Sequence, residues 1–319
     1  MTAPPRDPVA DTRQGASAAH LPVLLDEAMA WLDPKPGGRY CDATLGAGGH
    51  AFAVLERSAP DGRLVGLDRD PAALATAGAR LQPFGDRVTL VHARFSEARD
   101  VLARLGMTPV DGFLVDLGVS SPQLDRAERG FSFRMDGPLD MRMDPTSGET
   151  AAELLRRVDE VELTGIIRDH GEERHAARVA RAIIEARRAG PVDTTGQLAA
   201  IVARALPRHE PGKNPATRTF QALRIAVNDE LGELERFLAV ATDCLRPGGR
   251  LVVIAFHSLE DRIVKRRLRT LAGRRGGDAA PLDPPQLRLL TKHVVVPGDE
   301  ERARNPRARS ARLRAAERL

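Results

Sequence analysis

Cysteine is almost missing from the sequence: Cys41 and Cys244 are the only two among 319 residues. They share no C-x-x-C spacing, so they supply neither a disulfide framework nor enough ligands for a cysteine-based zinc site. Both read as small buried residues. Long apolar runs are missing too. None approaches the roughly 20 residues needed to span a bilayer, and Met1 to Ala19, rich in Ala, Pro, Asp and Arg, has no apolar segment of the secretory kind. The expectation is a disordered tail on a cytoplasmic protein that meets no membrane. Aromatic residues make up 3% of the chain, with Tyr40 the single tyrosine. Because Tyr40 falls at the start of the first predicted strand, the Tyr-and-Lys pair of many short-chain reductases is absent. Lysine is scarce as well, with Lys35, Lys213, Lys265 and Lys292 standing among 48 basic residues.

What is present is enough apolar material, 42% of the chain, to bury a sizeable core in one or two domains. A formal charge of +4 and an isoelectric point near 9.5 suit a polyanionic partner, although the excess is mild. Its placement says more. Positive charge gathers in "RIVKRRLRTLAGRR" from Arg262 to Arg275 and in "RARNPRARSARLRAAER" from Arg302 to Arg318. These segments suit tracking along phosphates; a solvated helix face and a charged tail are the plainer alternative.

From His20 to Gly118, short apolar runs alternate with helix-like stretches, the signature of parallel strands joined by crossover helices. The runs Arg39–Ala43, Arg63–Leu67, Val88–His92 and Gly112–Val115 predict strands; Pro71–Leu81 and Ser96–Leu105 predict helices. Val119–Thr146 is then punctuated by Gly, Pro and Asp, and Ala151–Leu206 reads as successive helices. Val179, Ile183 and Ala186 recur there at helical spacing, and Asp193-Thr194-Thr195 looks like a helix cap. A long helix is expected over Thr217–Leu245, stopped by Arg246-Pro247-Gly248-Gly249. Arg250–Ala255 predicts a fifth strand, with a helix from Ser258 and further strand candidates at His293–Val296 and Ser310–Leu313. The expected division is a tail over 1–19, a core from 20–125 and 215–319, and an inserted helical domain over 126–214 that recognises substrate.

The sharpest local motif is "CDATLGAGGHA", Cys41 to Ala51, where a strand ends in a glycine-rich turn that opens a helix. Glycines let the backbone approach a ligand closely, and free N–H groups at a helix start attract negative groups. Asp68 ends the second strand about 20 residues on, where a carboxylate can accept from ribose hydroxyls. Gly46-x-Gly48-x-x-Ala51 also satisfies the dinucleotide pattern, so a nicotinamide enzyme is the natural rival. Asp42 before the glycines instead resembles the acidic-x-G-x-G-x-G turn of adenosylmethionine methyltransferases, with Thr44 standing where that pattern has its first glycine.

Longer segments are more specific: "DLGVSSPQLDRAERGFSFRMDGPLDMRMDP" from Asp116, "NPATRTFQALRIAVNDEL" from Asn214 and "PGGRLVVIAFHSLEDRIVK" from Pro247. They closely resemble the bacterial 16S ribosomal RNA cytosine-N4 methyltransferases, the family also called MraW or RsmH, from about His20 to the final arginine-rich stretch. The resemblance implies an α/β fold, a Rossmann-like class I S-adenosylmethionine methyltransferase core with an inserted all-helical domain. It further implies methyl transfer from S-adenosyl-L-methionine to the exocyclic N4 amine of a cytidine in the decoding region of 16S rRNA. The partner would be that RNA within the 30S subunit or a late assembly intermediate, with a homodimer left open. Donor contacts are implied for Gly48, Gly49, His50, Asp68, Phe95, Asp116 and Gln123. Read as ordinary residues, His50 would be bonded to backbone at a helix start, Phe95 would be core packing and Asp116 would cap a turn.

Methylating an exocyclic amine needs nitrogen, methyl carbon and sulfur nearly in line, so positioning dominates. An acceptor must also orient the amine and take its proton. Many amino-methyltransferases carry [D/N/S]-P-P-[F/Y/W] after the fourth strand; here Ser120-Ser121-Pro122-Gln123 follows Asp116-Leu117-Gly118-Val119. Asp116, Ser120 or Ser121 is expected to supply the acceptor, with Asp140 and Arg142 shaping the base pocket. His257 is a candidate for contact with the base or its phosphate, against an N-cap role. Phe131 and Phe133 are candidates for stacking on an extruded base, against simple packing. No carboxylate cluster in the sequence demands a metal.

Overall fold

The computed structural model describes residues 22–206, 214–277 and 280–319; the expected tail over 1–19 lies outside them. Seven strands, β1 (Arg39–Asp42), β2 (Arg63–Asp68), β3 (Val88–His92), β4 (Val110–Asp116), β5 (Leu245–Ala255), β6 (Leu287–Leu289) and β7 (Arg312–Arg318), form one sheet ordered β3-β2-β1-β4-β5-β7-β6. The first five run parallel, and β7 runs antiparallel between β5 and β6. Along the central strands successive side chains enter opposite layers, as pleating requires. Leu251 and Val253 pack with Phe113 and Val115 on one face; Val252 and Ile254 pack with Leu114 and Leu313 on the other. Burial on both faces explains why these strands read as unbroken apolar runs.

Helices α1 (Leu25–Leu32), α2 (Gly49–Arg57) and α3 (Pro71–Leu81) cover one face. The other is covered by α4 (Ala98–Arg104), α11 (Glu230–Cys244) and α12 (Ser258–Leu271). Between β4 and α11 lie α5 (Ser121–Asp125), α6 (Ala151–Arg157), α7 (Glu160–Gly171), α8 (Ala176–Ala189), α9 (Thr195–Ala205) and α10 (Thr217–Asn228). These helices share a separate apolar cluster in which Leu155, Ile167, Val179, Ile183 and Leu198 meet Phe220 and Leu223 of α10. Thr194 caps α9 as expected, its side chain accepting from the Gln197 N–H. Both cysteines are buried and unpaired. A short helix, α13 (Asp299–Arg304), precedes β7.

The structure departs from the sequence expectations in several places, among them β5, which begins at Leu245 and takes in the expected helix stop Arg246-Pro247-Gly248-Gly249. The single helix expected over Thr217–Leu245 is two, broken where Asp229 adopts φ 48° and ψ 41°. No glycine or proline signals that break; Asp is among the few side chains that tolerate the left-handed region. The expected strand at His293–Val296 reduces to one bridge between Val295 and Leu313. The last strand begins at Arg312, since Ser310 belongs to a 3₁₀ turn, and β6 was not anticipated. In β7 the alternation is masked by arginines: Leu313, Ala315 and Ala316 are buried, while Arg312 is exposed.

Candidate active site

In such a sheet the strand order reverses between β1 and β4, and a ligand crevice opens at the carboxyl ends of the strands around that point. Three carboxylates converge there: Asp42 ending β1, Asp68 ending β2 and Asp116 ending β4. The glycine turn lies between the first two. Gly46 and Gly48 have φ of +52° and +76°, a region that penalises any Cβ, and a Cβ on Gly48 would stand 3.2 Å from that of Ala77. Asp68 holds the turn by accepting from Gly46 N–H and Asp70 N–H, both at 2.8 Å. Thr44, the departure from the glycine pattern, has a visible use: its Oγ1 accepts from the Asp116 N–H at 2.6 Å, tying the turn to β4.

The electrostatics of this crevice are unbalanced. Burial, opposed by the Thr44 N–H and reinforced by the Asp68 charge, raises Asp42 to about 7. Asp116 is raised well above the carboxylate range by lost hydration and by the charges of Asp42 and Glu260. Its Oδ1 is shielded and has no hydrogen-bond partner. Its Oδ2 lies 3.7 Å from His50 Nδ1, beyond hydrogen-bond reach. Burial lowers His50 to about 4, so the ring is neutral at pH 7. Nε2 lies 3.0 Å from the carbonyl of Val23, which can only accept, so Nε2 carries the proton and Nδ1 turns a lone pair towards Asp116. Acceptors facing one another in this way call for a donor or a cation between them. Phe95, 8% exposed, packs edge-on against Phe237 at the end of β3.

Gln123 is buried one layer behind the crevice. Its Nε2 donates to Asp70 Oδ2 at 3.0 Å, and its Oε1 accepts from the Ser120 N–H at 2.9 Å. Arg129 completes this junction, donating to the same Asp70 oxygen at 2.7 Å and to the carbonyls of Arg142 and Met143 at 3.0 Å. It thereby joins Asp70, beside the Asp68 turn, to the loop that carries Asp140 and Arg142. Those two form a closed fork, Nε to Oδ1 and Nη2 to Oδ2, both at 2.8 Å. Although lost hydration pushes Asp140 up, the Arg142 fork holds it below the usual carboxylate range.

A model of the MraW methylase family matches residues 17–319. The chain belongs to that family. It is 57% identical over 310 residues to the Ribosomal RNA small subunit methyltransferase H of Nitratidesulfovibrio vulgaris (strain DP4), covering 95% of this chain and 96% of the relative. The relative of the same name from Geobacter sulfurreducens is 55% identical, covering 94% of this chain and 99% of its own. Among solved structures, an rRNA methylase from Streptococcus thermophilus is similar with a TM-score of 0.40 and 14% identity, covering 92% of this chain and 93% of that one.

Within this MraW family member, the structure brings the Gly46–Gly48 turn, His50, Asp68 and Asp116 together at the strand ends, with Ser120 and Ser121 at the head of α5 and Gln123 buried behind them against Asp70. The aromatic pair is placed otherwise. Phe131 is buried in the helical cluster beneath the Arg129 guanidinium, and Phe133, partly exposed, packs edge-on against Phe220 at 5.0 Å. His257 is the N-cap residue of α12, its Nε2 3.1 Å from Glu260 Oε1 but out of line for a hydrogen bond.

With Glu230, His257 and Glu260 form a group whose ligand atoms lie within 4.8 Å of one another, an arrangement that can hold a metal ion. No such group is legible in the sequence, because α11 and α12 bring it together across β5. Arg224 already supplies positive charge there, forking onto Glu230 at 2.7 and 2.8 Å. The Asp70–Gln123–Arg129 junction is equally invisible to sequence reasoning.

Proposed function

We propose that this enzyme transfers a methyl group from S-adenosyl-L-methionine to the exocyclic N4 amine of a cytidine in the decoding region of 16S rRNA, acting on the 30S subunit or a late assembly intermediate. The observation that carries the reading is the convergence of Asp42, Asp68 and Asp116 with neutral His50 at the strand ends: carboxyls whose ionised forms are disfavoured by burial and by one another's charge, and which a cation between them would favour. A sulfonium that also carries an ammonium group answers that imbalance, whereas a dinucleotide would add negative charge to it. Named relatives above 50% identity over nearly the whole chain supply the RNA.

When bound, S-adenosylmethionine supplies an electrophilic methyl on a positively charged sulfur. The residues divide the remaining work. Each Asp68 oxygen already accepts one backbone N–H and keeps capacity for a ribose hydroxyl. The glycine turn and His50 line the methionine side, and Phe95 offers the adenine side an apolar edge. Asp116, a quarter exposed and facing His50 through Oδ2, accepts an N–H of the target amine and turns the nitrogen lone pair out of conjugation. A neighbouring positive charge favours its carboxylate form, and in that form it can take the proton that leaves the methylated nitrogen. Ser120 and Ser121 border that position. Asp140 and Arg142 shape the far wall through Arg129, and Phe133 is the ring of the aromatic pair left in reach of a base.

We place the protein in the cytoplasm, with the helical segment 126–214 recognising substrate and a homodimer open to measurement. Among the described residues no helix is long and apolar enough to cross a membrane. The test is transfer of labelled methyl from S-adenosylmethionine to 30S subunits lacking the modification, followed by nuclease digestion and mass spectrometry. N4-methylcytidine is the expected product; donor binding with no labelled nucleoside would overturn the assignment.

A further inference from the structure

Beside the end of β5, a recess of about 460 Å³ is lined by His257 and Ser258 on one side and by Arg302, Arg309, Ser310 and Arg312 on the other, with Phe256 in its wall. The arginines come from α13, from the turn after it and from β7, so the fold rather than one charged helix gathers them. Their countercharges are few. Arg312 lies 3.5 Å from Asp261, but that carboxylate forks onto Arg314 at 2.7 and 3.1 Å. Arg302 lies 3.5 Å from Asp299, whose side chain is 99% exposed. Arg309 is exposed and has no hydrogen-bond or ion-pair partner among the described residues. On the helical side, Glu172 bonds Ser258 and is neutralised by Arg262 at 3.1 Å. Glu260 is buried and turned towards His257 and the Phe256 N–H.

The recess also adjoins the candidate acceptor groups. A Cβ on Gly118, two residues past Asp116, would stand 3.5 Å from the Phe256 ring. Arg307, in the same turn as Arg309, clamps that turn onto α5 by bonding both Asp125 oxygens at 2.7 and 2.9 Å. One arginine of the turn therefore fixes its position and the next is left presented to solvent.

We infer that this recess binds a phosphodiester of the RNA strand beside the target nucleotide, an inference that rests on the rRNA reading above. Planar guanidinium groups match phosphate oxygens in paired hydrogen bonds, and such contacts set the register of a strand without reading its bases. The recess thus orients the strand, while the strand-end crevice handles the base.

The test compares Arg309→Glu, Arg309→Ala and the double variant Arg302→Ala/Arg309→Ala with Arg104→Glu, an exposed arginine at the opposite end of the parallel strands. Methyl transfer to 30S subunits is measured at several salt concentrations, alongside binding of a single-stranded RNA oligonucleotide. The recess variants are expected to raise KM for RNA roughly tenfold, the loss of a charge-assisted hydrogen bond. The slope of log affinity against log salt should shrink by about 0.7 for each phosphate that is no longer neutralised. The kcat and the affinity for S-adenosylmethionine should stay at wild-type values. Equal KM and salt slope in the recess variants and Arg104→Glu would overturn the proposal, as would variants that lose affinity for inorganic phosphate alone. If the wild-type enzyme labels no RNA, the functional reading fails, and the oligonucleotide measurement still decides whether the recess holds a phosphodiester.

Discussion

Replacing Asp42 by Asn keeps the shape of the side chain and the oxygen that accepts from the Thr44 N–H at 3.2 Å, while removing the charge. Asp42 is 2% exposed, and its carboxyl is raised from 3.8 to about 7. The folded protein therefore holds this proton more tightly than the unfolded chain does, so ionisation opposes folding. The penalty is absent below the unfolded value, grows as pH rises and is complete once pH passes the folded value. A shift of about three units corresponds to roughly 4 kcal/mol at pH 8, and to roughly 1.5 kcal/mol at pH 5, where most of the folded protein is still protonated. Asp42→Asn should accordingly stabilise the ligand-free protein, with its advantage growing by about 2.5 kcal/mol between pH 5 and pH 8. Urea denaturation at the two pH values measures this directly. The same variant should bind S-adenosylmethionine roughly tenfold or more weakly, because the cation loses a carboxylate partner; calorimetric titration reads that. A stability difference independent of pH would show that Asp42 ionises without cost in the folded state. Unchanged donor affinity would refute the charge imbalance as the basis of binding.

Wild-type affinity for S-adenosylmethionine should rise between pH 6 and pH 8 as Asp42 ionises, and Asp42→Asn should flatten that profile in the same titrations. Thr44→Val removes the acceptor of the Asp116 N–H and should cost about 1–2 kcal/mol in denaturant unfolding; Thr44→Ser should recover most of it. Arg129→Met leaves Asp70, 3% exposed, without its cation and should destabilise by about 3 kcal/mol. Adding Asp70→Asn to that variant should return part of the loss, and additive losses would contradict the pairing. Asp116→Asn should lower kcat by roughly a hundredfold while leaving KM for RNA near wild type, a split that steady-state kinetics resolves.

The strands β1–β4 were readable because a doubly covered parallel strand must be apolar throughout, and the cap at Thr194 because its chemistry is local. The end of the chain was harder. A strand such as β7, inserting small residues between arginines, lacks the apolar run that marks its neighbours, and β6 is only Leu287–Leu289. The break at Asp229 was invisible because it is fixed by tertiary contacts of its neighbour Asn228 rather than by a helix-breaking residue. Of the site, Asp68 and the glycine turn followed from motif spacing. The use of Thr44 did not, since nothing in a linear motif shows that its hydroxyl meets a backbone amide 72 positions away. The same holds for Arg129 and Asp70, 59 positions apart. Phe131 and Phe133 stand out because an aromatic-poor sequence makes each ring conspicuous; Phe131 is buried in the helical cluster, as simple packing would have it, while Phe133 stays partly exposed at its edge.

Asn228 sits at the corner where α10 gives way to α11, and its amide reaches across to the loop opposite. It accepts from the Met143 N–H at 2.7 Å and donates to the carbonyl of Met141 at 2.7 Å, while its own carbonyl accepts from Arg69 next to Asp68 at 3.0 Å. One residue at an elbow is thus gauged, by side chain and backbone, against both walls of the candidate site. Were the helical layer to swing, the wall formed by Asp140 and Arg142 would travel with it, carried on the elbow as on a carpenter's square. The spacing between Arg69 beside the Asp68 turn and the loop that carries Asp140 and Arg142 is set by the corner of a helix, not by the length of a loop.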